Sequence, residues 1–514
     1  MREQPRGAVV RCFGVAIFIL ASVVQARSAP RAGDIPADSW VEARSPHFIV
    51  VSNASGDQAR SVAIRFERVR AVFQKAFPGM RVYPDLPIVI LAARDRATFQ
   101  ELSPPGWSKQ GEISRSGMML RNPDKNFILL LLGVPGENPY HVVYHEYAHL
   151  VLEDDFRNIP LWLNEGLAEF YGNSEIDRKT VRLGLPSKEN LALLREHPWL
   201  PLETLFTVDQ SSPYYNEEDK GSIFYAESWA LTDYLMFVKR SNGKGPIDRY
   251  LALVSQRAGP GSDPVTAATE TFGDLHDLEA KLQNFVKRSA FGYFRLKIAA
   301  GDDSYPVEQL SPAESEALRG DFMARTGSAE AARPLLLDAL RRDPELTSIN
   351  QSLGLLEVHE RHGSEAARWF AKAAALCSNC VFSRFYNALA LMQQDPGRPN
   401  DADRQTIESG FEAFIRFNPT FAPAYAALAR FDVTSGKNPS GALDLAAKAS
   451  SLDPRNVRYL FLEADILLKT GDKAGALRVA HQAVATAQSP AEKSQAYLFL
   501  GAVQQKMEAE AGKP

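Results

Sequence analysis

The chain has 514 residues, too many for a single hydrophobic core, so two or more domains are expected. Hydrophobic residues make up 45% and charged residues 23%, the balance of a soluble globular protein. A formal net charge of −4 places the chain outside the strongly basic class, and neither nucleic acid nor an anionic membrane surface is expected as a partner.

In chain order, the first segment has the features of an export signal. Arg2, Arg6 and Arg11 form a basic start, residues 12–24 (CFGVAIFILASVV) an apolar stretch, and Val-Gln-Ala ending at Ala26 a cleavage point. The apolar run is short for a membrane span, which needs about 20 residues; an uncleaved anchor is the competing reading. Residues 1–26 are expected to be removed on export to a periplasm or the cell exterior. Residues 27–38 then form a linker, and the mature chain has no membrane span.

Residues 47–53 (HFIVVSN) read as a strand. The spacing of Val62, Phe66, Val69, Val72 and Phe73 predicts a helix over 59–77. A second strand is expected over 86–93 (LPIVILAA), followed by a helix from Asp95. GMML (117–120) and NFILLLL (126–132) flank an Asn-Pro-Asp turn and predict a hairpin. From there to about residue 300 the pattern is mostly helical, and strands followed by helices imply an α+β domain over 39–300.

Residues 137–152 (ENPYHVVYHEYAHLVL) lack Gly or Pro after Pro139 and read as a helix. His145 and His149 are four apart and lie nearly above one another, so both imidazoles can point at one ion. Glu146 is rotated by about 100° from His145, beside the ion, where a base could receive a proton from water. The chain holds only nine histidines, which makes a chance H-E-x-x-H rare. A catalytic zinc needs three protein ligands and one open position. Residues 159–171 (IPLWLNEGLAEFY) offer the third ligand in Glu165, and Glu169, one turn on, can orient a ligand histidine. Ile159, Leu161, Trp162, Leu163, Leu167 and Phe170 bury this segment, where an unpaired carboxylate is costly. Asp155 is a rival third ligand. Families that ligate from there carry a glycine three residues after the second histidine, where this chain has Leu152.

H-E-x-x-H followed by W-L-N-E-G resembles the gluzincin metallopeptidases, the superfamily of thermolysin and the zinc aminopeptidases, and most of all exported members fused to tetratricopeptide repeats. The resemblance implies a zincin-like fold with one zinc ion on His145, His149 and Glu165, Glu146 as general base, and Glu169 behind a ligand. FYAESWALTDYLMF (224–237) is similar to the aminopeptidase helix that carries the catalytic tyrosine, which would make Tyr225 the donor to a developing oxyanion; a core aromatic is the alternative. Two departures stand out. The interval from His149 to Glu165 is shorter than in the aminopeptidases, so the connecting loop must differ. SRSGMMLRN (114–122) lacks the glutamate that would hold a free amino terminus, and Glu112 is off the pattern. This favours cleavage inside chains, with the strand edge still able to pair with an extended peptide.

The last 200 residues behave differently. Gly320, Gly327, Ala332, Ala339 and Pro344 step by 7, 5, 7 and 5, and Ala464, Gly471, Ala476 and Ala483 repeat the first three steps. This pattern resembles the tetratricopeptide repeat, whose period is about 34. It implies an all-α solenoid over 310–510 with a protein or peptide partner; an irregular helical bundle is the alternative. Cys377 and Cys380, spaced C-x-x-C, are expected to form a local disulfide in an exported protein, with free thiols as the alternative. The whole chain thus reads as an α+β zincin-like metallopeptidase domain followed by an all-α tetratricopeptide-type solenoid. Its expected activity is zinc-dependent hydrolysis of peptide bonds in a peptide or protein substrate. The alternative is a catalytically inactive exported scaffold that works through its solenoid.

Overall fold

The computed structural model describes residues 39–511, except for 77–87, 106–116, 123, 134–139, 156–158, 177–179, 210–211, 217, 239–244, 257–262, 298–302, 395–398, 437, 455 and 488–489. The expected export signal and linker, and Glu112 with residues 114–116, lie outside the described residues. The front half contains β1 (Val41–Arg44), β2 (Phe48–Ser52), α1 (Gly56–Ala76), β3 (Ile88–Ala93), α2 (Arg96–Leu102), β4 (Gly117–Leu120) and β5 (Asn126–Leu131). Next come α3 (His141–Asp155), α4 (Leu161–Gly172), β6 (Glu175–Ile176), β7 (Thr180–Leu183), α5 (Lys188–Glu196), α6 (Leu202–Thr207), α7 (Pro213–Asn216) and α8 (Glu218–Phe237). Three further helices, α9 (Pro246–Gln256), α10 (Pro264–Phe272) and α11 (Leu275–Val286), lead to β8 (Phe294–Lys297) and β9 (Val307–Gln309).

Six strands form one mixed sheet in the order β4-β5-β3-β2-β1-β9. Its centre is parallel, with β2 beside β3 and β3 beside β5. β4 returns antiparallel on β5 as the edge strand, the hairpin expected around the Asn-Pro-Asp turn. Every residue of β3 and β5 is buried, which is why IVILAA and NFILLL are unbroken apolar runs. On one face Val50, Ile88, Ile90, Ile128 and Leu130 meet Phe66, Tyr144 and Tyr147 from α1 and α3. On the other, Val51, Val89, Leu91, Phe127 and Leu129 need a second cover.

That cover includes the start of a solenoid. Helices pair as α12 (Pro312–Arg325) with α13 (Ala329–Arg342), α14 (Thr347–His359) with α15 (Gly363–Leu376), and α16 (Val381–Gln394) with α17 (Asp401–Phe417). The series continues through α18 (Ala422–Ser435) with α19 (Pro439–Leu452), α20 (Val457–Lys469) with α21 (Lys473–Thr486), and a final α22 (Pro490–Ala511). Phe322, Leu336 and Leu353 of α12–α14 join the core on the second sheet face, and Phe127 packs edge-on to Phe322 at 5.5 Å. The small residues of the repeat sit where helices touch: a Cβ on Gly320 would come within 2.7 Å of Leu336. Cys377 and Cys380 form a disulfide at the turn between α15 and α16.

Three short strands were not expected in the helical stretch. β6, β7 and β8 form a separate antiparallel sheet, and β8 is drawn from more than a hundred residues downstream of β7. Strands of two to four residues are too brief to announce themselves by alternation. β9 likewise completes the main sheet beside β1. Among the described residues no helix is long and apolar enough to cross a membrane.

A buried charge network fastens the β4–β5 turn to the solenoid. Arg325 on α12 donates to both oxygens of Asp124 at 2.7 Å and to Asp321 at 2.9 Å, and Lys125 reaches Asp321 at 2.9 Å. Ser352 and Gln351 on α14 add hydrogen bonds to the same two carboxylates. Burial alone would raise the Asp321 pKa, but the cations beside it hold the carboxyl well below the usual range. Arg325→Met leaves the buried Asp124 without a cation and Asp321 with Lys125 alone, so it is expected to lower stability by about 3–5 kcal/mol. Chemical denaturation checks this, and an unchanged midpoint would contradict the compensation.

Candidate metal centre

α3 is an ordinary helix whose back packs on the main core through Tyr144, Tyr147 and Val151. Its other side carries His141, His145 and His149, one turn apart. α4 is buried nearly all round, which accounts for its uniformly apolar composition apart from Asn164, Glu165 and Glu169. It lies between α3 and α8, and its rotation is set by close contact with α8. A Cβ on Gly166 would fall 2.1 Å from Thr232 Oγ1 and 2.3 Å from the Ser228 carbonyl oxygen. Only glycine admits this approach, and it turns the neighbouring Glu165 toward α3.

Three side-chain atoms converge there. The Nε2 atoms of His145 and His149 are 3.0 Å apart, and Glu165 Oε2 lies 3.4 Å from the first and 3.3 Å from the second. Tetrahedral coordination with bonds of 2.0–2.1 Å places ligand atoms about 3.3 Å apart, so the set fits a zinc-sized ion. The Glu165 side chain is 4% exposed, and its Oε2 has no hydrogen-bond partner, as expected of an atom whose partner is an ion. Burial works against charge on both groups. The imidazoles nonetheless hold the Glu165 pKa down at about 2, and Glu165 with Glu169 pushes His145 up to about 10.

Glu169 stands behind the cluster. Its Oε1 lies 3.0 Å from His145 Nδ1, off the hydrogen-bonding direction but close enough to fix the ring's charge and orientation. Asn190 donates to its Oε2 at 3.1 Å, and His141 Nε2 is 3.5 Å from the same oxygen. Burial raises the Glu169 pKa, and the two imidazoles more than reverse that.

The tyrosines differ from the expected arrangement in one respect. Tyr215 on α7 donates to Glu165 Oε1 at 3.4 Å, while Tyr225 on α8 stands beside Tyr215 with ring centroids 6.0 Å apart. Burial first, and then the charge of Glu165, raises the pKa of both phenols, and the charge of Glu146 adds to this. Tyr215, His141 and Asn190 went unnoticed in the sequence. His141 was findable, since it extends the four-residue step of His145 and His149, whereas nothing local marks Tyr215 or Asn190. Asp155 is the last residue of α3, and its side chain lies outside the described residues. A second group with ligand-like spacing, Glu357, Glu360 and His362, already holds Arg333, whose guanidinium meets Glu357 at 2.6 Å and also pairs with Glu360.

No protein-family model matches the chain, and no curated protein matches it. Among solved structures it is similar to MamA from Desulfovibrio magneticus RS-1, at 15% identity and TM-score 0.28, over 39% of this chain and 97% of that one. It is also similar to YrrB, described as a TPR protein with an unusual peptide-binding site, at 14% identity and TM-score 0.30, over 36% of this chain and 91% of that one. A third is PilF of Pseudomonas aeruginosa, at 17% identity and TM-score 0.31, over 39% of this chain and 87% of that one. The helical-hairpin series described above is the observation that makes the C-terminal part a solenoid.

Gly166→Ala is expected to cost about 1–3 kcal/mol by forcing α4 and α8 apart. A melting temperature equal to that of the unaltered protein would show that the two helices part freely and that the glycine does not set the rotation of Glu165.

Proposed function

We propose that the front half is an exported zinc metallopeptidase of gluzincin type, carried beside a tetratricopeptide-type solenoid that docks a protein or peptide partner. The observation that supports it is the convergence of His145 Nε2, His149 Nε2 and Glu165 Oε2 at mutual distances suited to one ion. A zinc ion held by these residues acts as a Lewis acid and lowers the pKa of water at the site.

The rest falls to the chain's own groups. The Glu146 carboxylate, one residue along α3 from His145, accepts the proton of the attacking water and returns it to the leaving nitrogen. Tyr225 and Tyr215, kept protonated by burial and by the nearby carboxylates, are O–H donors at neutral pH for charge growing on the substrate oxygen. Glu169 holds the His145 ring in place. The outer edge of β4, which packs on α3, would offer backbone groups to an extended peptide.

A second reading is favoured by one observation: five helical hairpins and a final helix occupy about two-fifths of the chain. In that reading the protein is an exported scaffold whose solenoid binds a protein, and the front half is catalytically silent.

Elemental analysis separates the two. Purified protein is expected to carry one zinc per chain, lost in His149→Ala; absence of zinc under zinc-replete conditions leaves the scaffold reading. Glu146→Gln is expected to keep its zinc and lose cleavage of a peptide library, so full cleavage by that variant would remove Glu146 as the base. Tyr225→Phe is expected to lower the rate by about 10²–10³. If Tyr215→Phe shows that loss and Tyr225→Phe does not, the donor is Tyr215.

A further inference from the structure

The small sheet carries an unusual charge arrangement. In the register of β6, β7 and β8, Glu175 lies opposite Arg182, and Arg182 lies opposite Arg295. Two arginines directly across an antiparallel pair repel each other, and such pairs are unfavourable without compensation. Glu175 pairs with Arg182. Arg295 makes no ion pair among the described residues.

Both arginines line a cavity of about 530 Å³, and Arg65 of α1 lines it with them. Arg65 also makes no ion pair among the described residues; its guanidinium lies over the ring of Tyr140, 4.7 Å from the centroid. The Tyr144 side chain, 2% exposed, reaches this cavity from α3, with the Arg65 guanidinium beside its hydroxyl. Tyr293, Thr180, Ser174 and Ile176 complete the described wall, with Tyr293 under Arg182 at 5.9 Å. Among the described residues, Arg65, Arg182, Arg295 and Glu175 are the charged groups that line this concave space, within a chain whose net charge is −4.

We propose that this cavity binds a small oxyanion ligand, one bearing a phosphate or a carboxylate group, between Arg65, Arg182 and Arg295. The planar guanidinium forks suit two-point contact with either group, and the anion would supply the charge that the Arg182–Arg295 pair lacks. The cavity shares no residue with the His145, His149 and Glu165 cluster, so the proposal stands apart from the metallopeptidase reading.

The test is the melting temperature of the full chain titrated with inorganic phosphate and, separately, with succinate, at ionic strength matched by sodium chloride. The unaltered protein is expected to show saturable stabilisation by at least one anion, and the more effective arm identifies the head group. Arg295→Gln and Arg65→Gln are each expected to raise the half-saturating concentration at least tenfold, whereas Arg430→Gln, an exposed change in the solenoid, leaves it unaltered. Arg295 is exposed, so its variant folds even if loss of the Arg65–Tyr140 contact impairs the other. No saturable stabilisation of the unaltered protein, or the same half-saturation in Arg295→Gln, overturns the proposal.

Discussion

A sheet with two apolar faces must be covered twice, and the architecture follows from that requirement. β3 and β5 are buried along their whole length, so neither face of the sheet can be left to water. α1 and α3 cover one face. The first helices of the solenoid help to cover the other. The two halves of the chain, distinct in composition and periodicity, thus meet in a common core. β9 carries the chain from one to the other as a strand of the main sheet.

The same packing brings the His145, His149 and Glu165 cluster together. α3 is pressed on the sheet by its tyrosines, which leaves its histidine side turned toward α4. α4 is held against α8 at a distance only Gly166 permits, and this presents Glu165 to the histidines. The cluster therefore rests on two helix contacts, neither of which contains His145, His149 or Glu165. Its electrostatics follow from burial: a carboxylate 4% exposed must find positive charge, and the two imidazoles beside it provide it.

Much of this was legible in the sequence because it is local. H-E-x-x-H needs only the pitch of one helix, and the apolar setting of Glu165 marked it as an interior carboxylate. The hairpin of β4 and β5, the helix capped by Asp95 and the repeat of small residues were equally readable. What was not readable depends on distant partners. Asp124 and Arg325 are 201 residues apart, and nothing near either reveals the other. Tyr215 meets Glu165 across 50 residues, and its helix is a single turn. β8 joins β7 from beyond seven helices, a pairing that no short window contains.

The Asp124–Arg325–Asp321 network has a mechanical side. Asp124 sits at the tip of the β4–β5 hairpin, and β4 lies against α3, where a Cβ on Gly117 would meet Val143 at 2.9 Å. A force applied along the solenoid therefore reaches the strand beside the histidine helix through charged groups with no slack between them. The solenoid is a cantilever anchored in the sheet, and its first hairpin is held at a fixed bearing to the helix of His145 and His149.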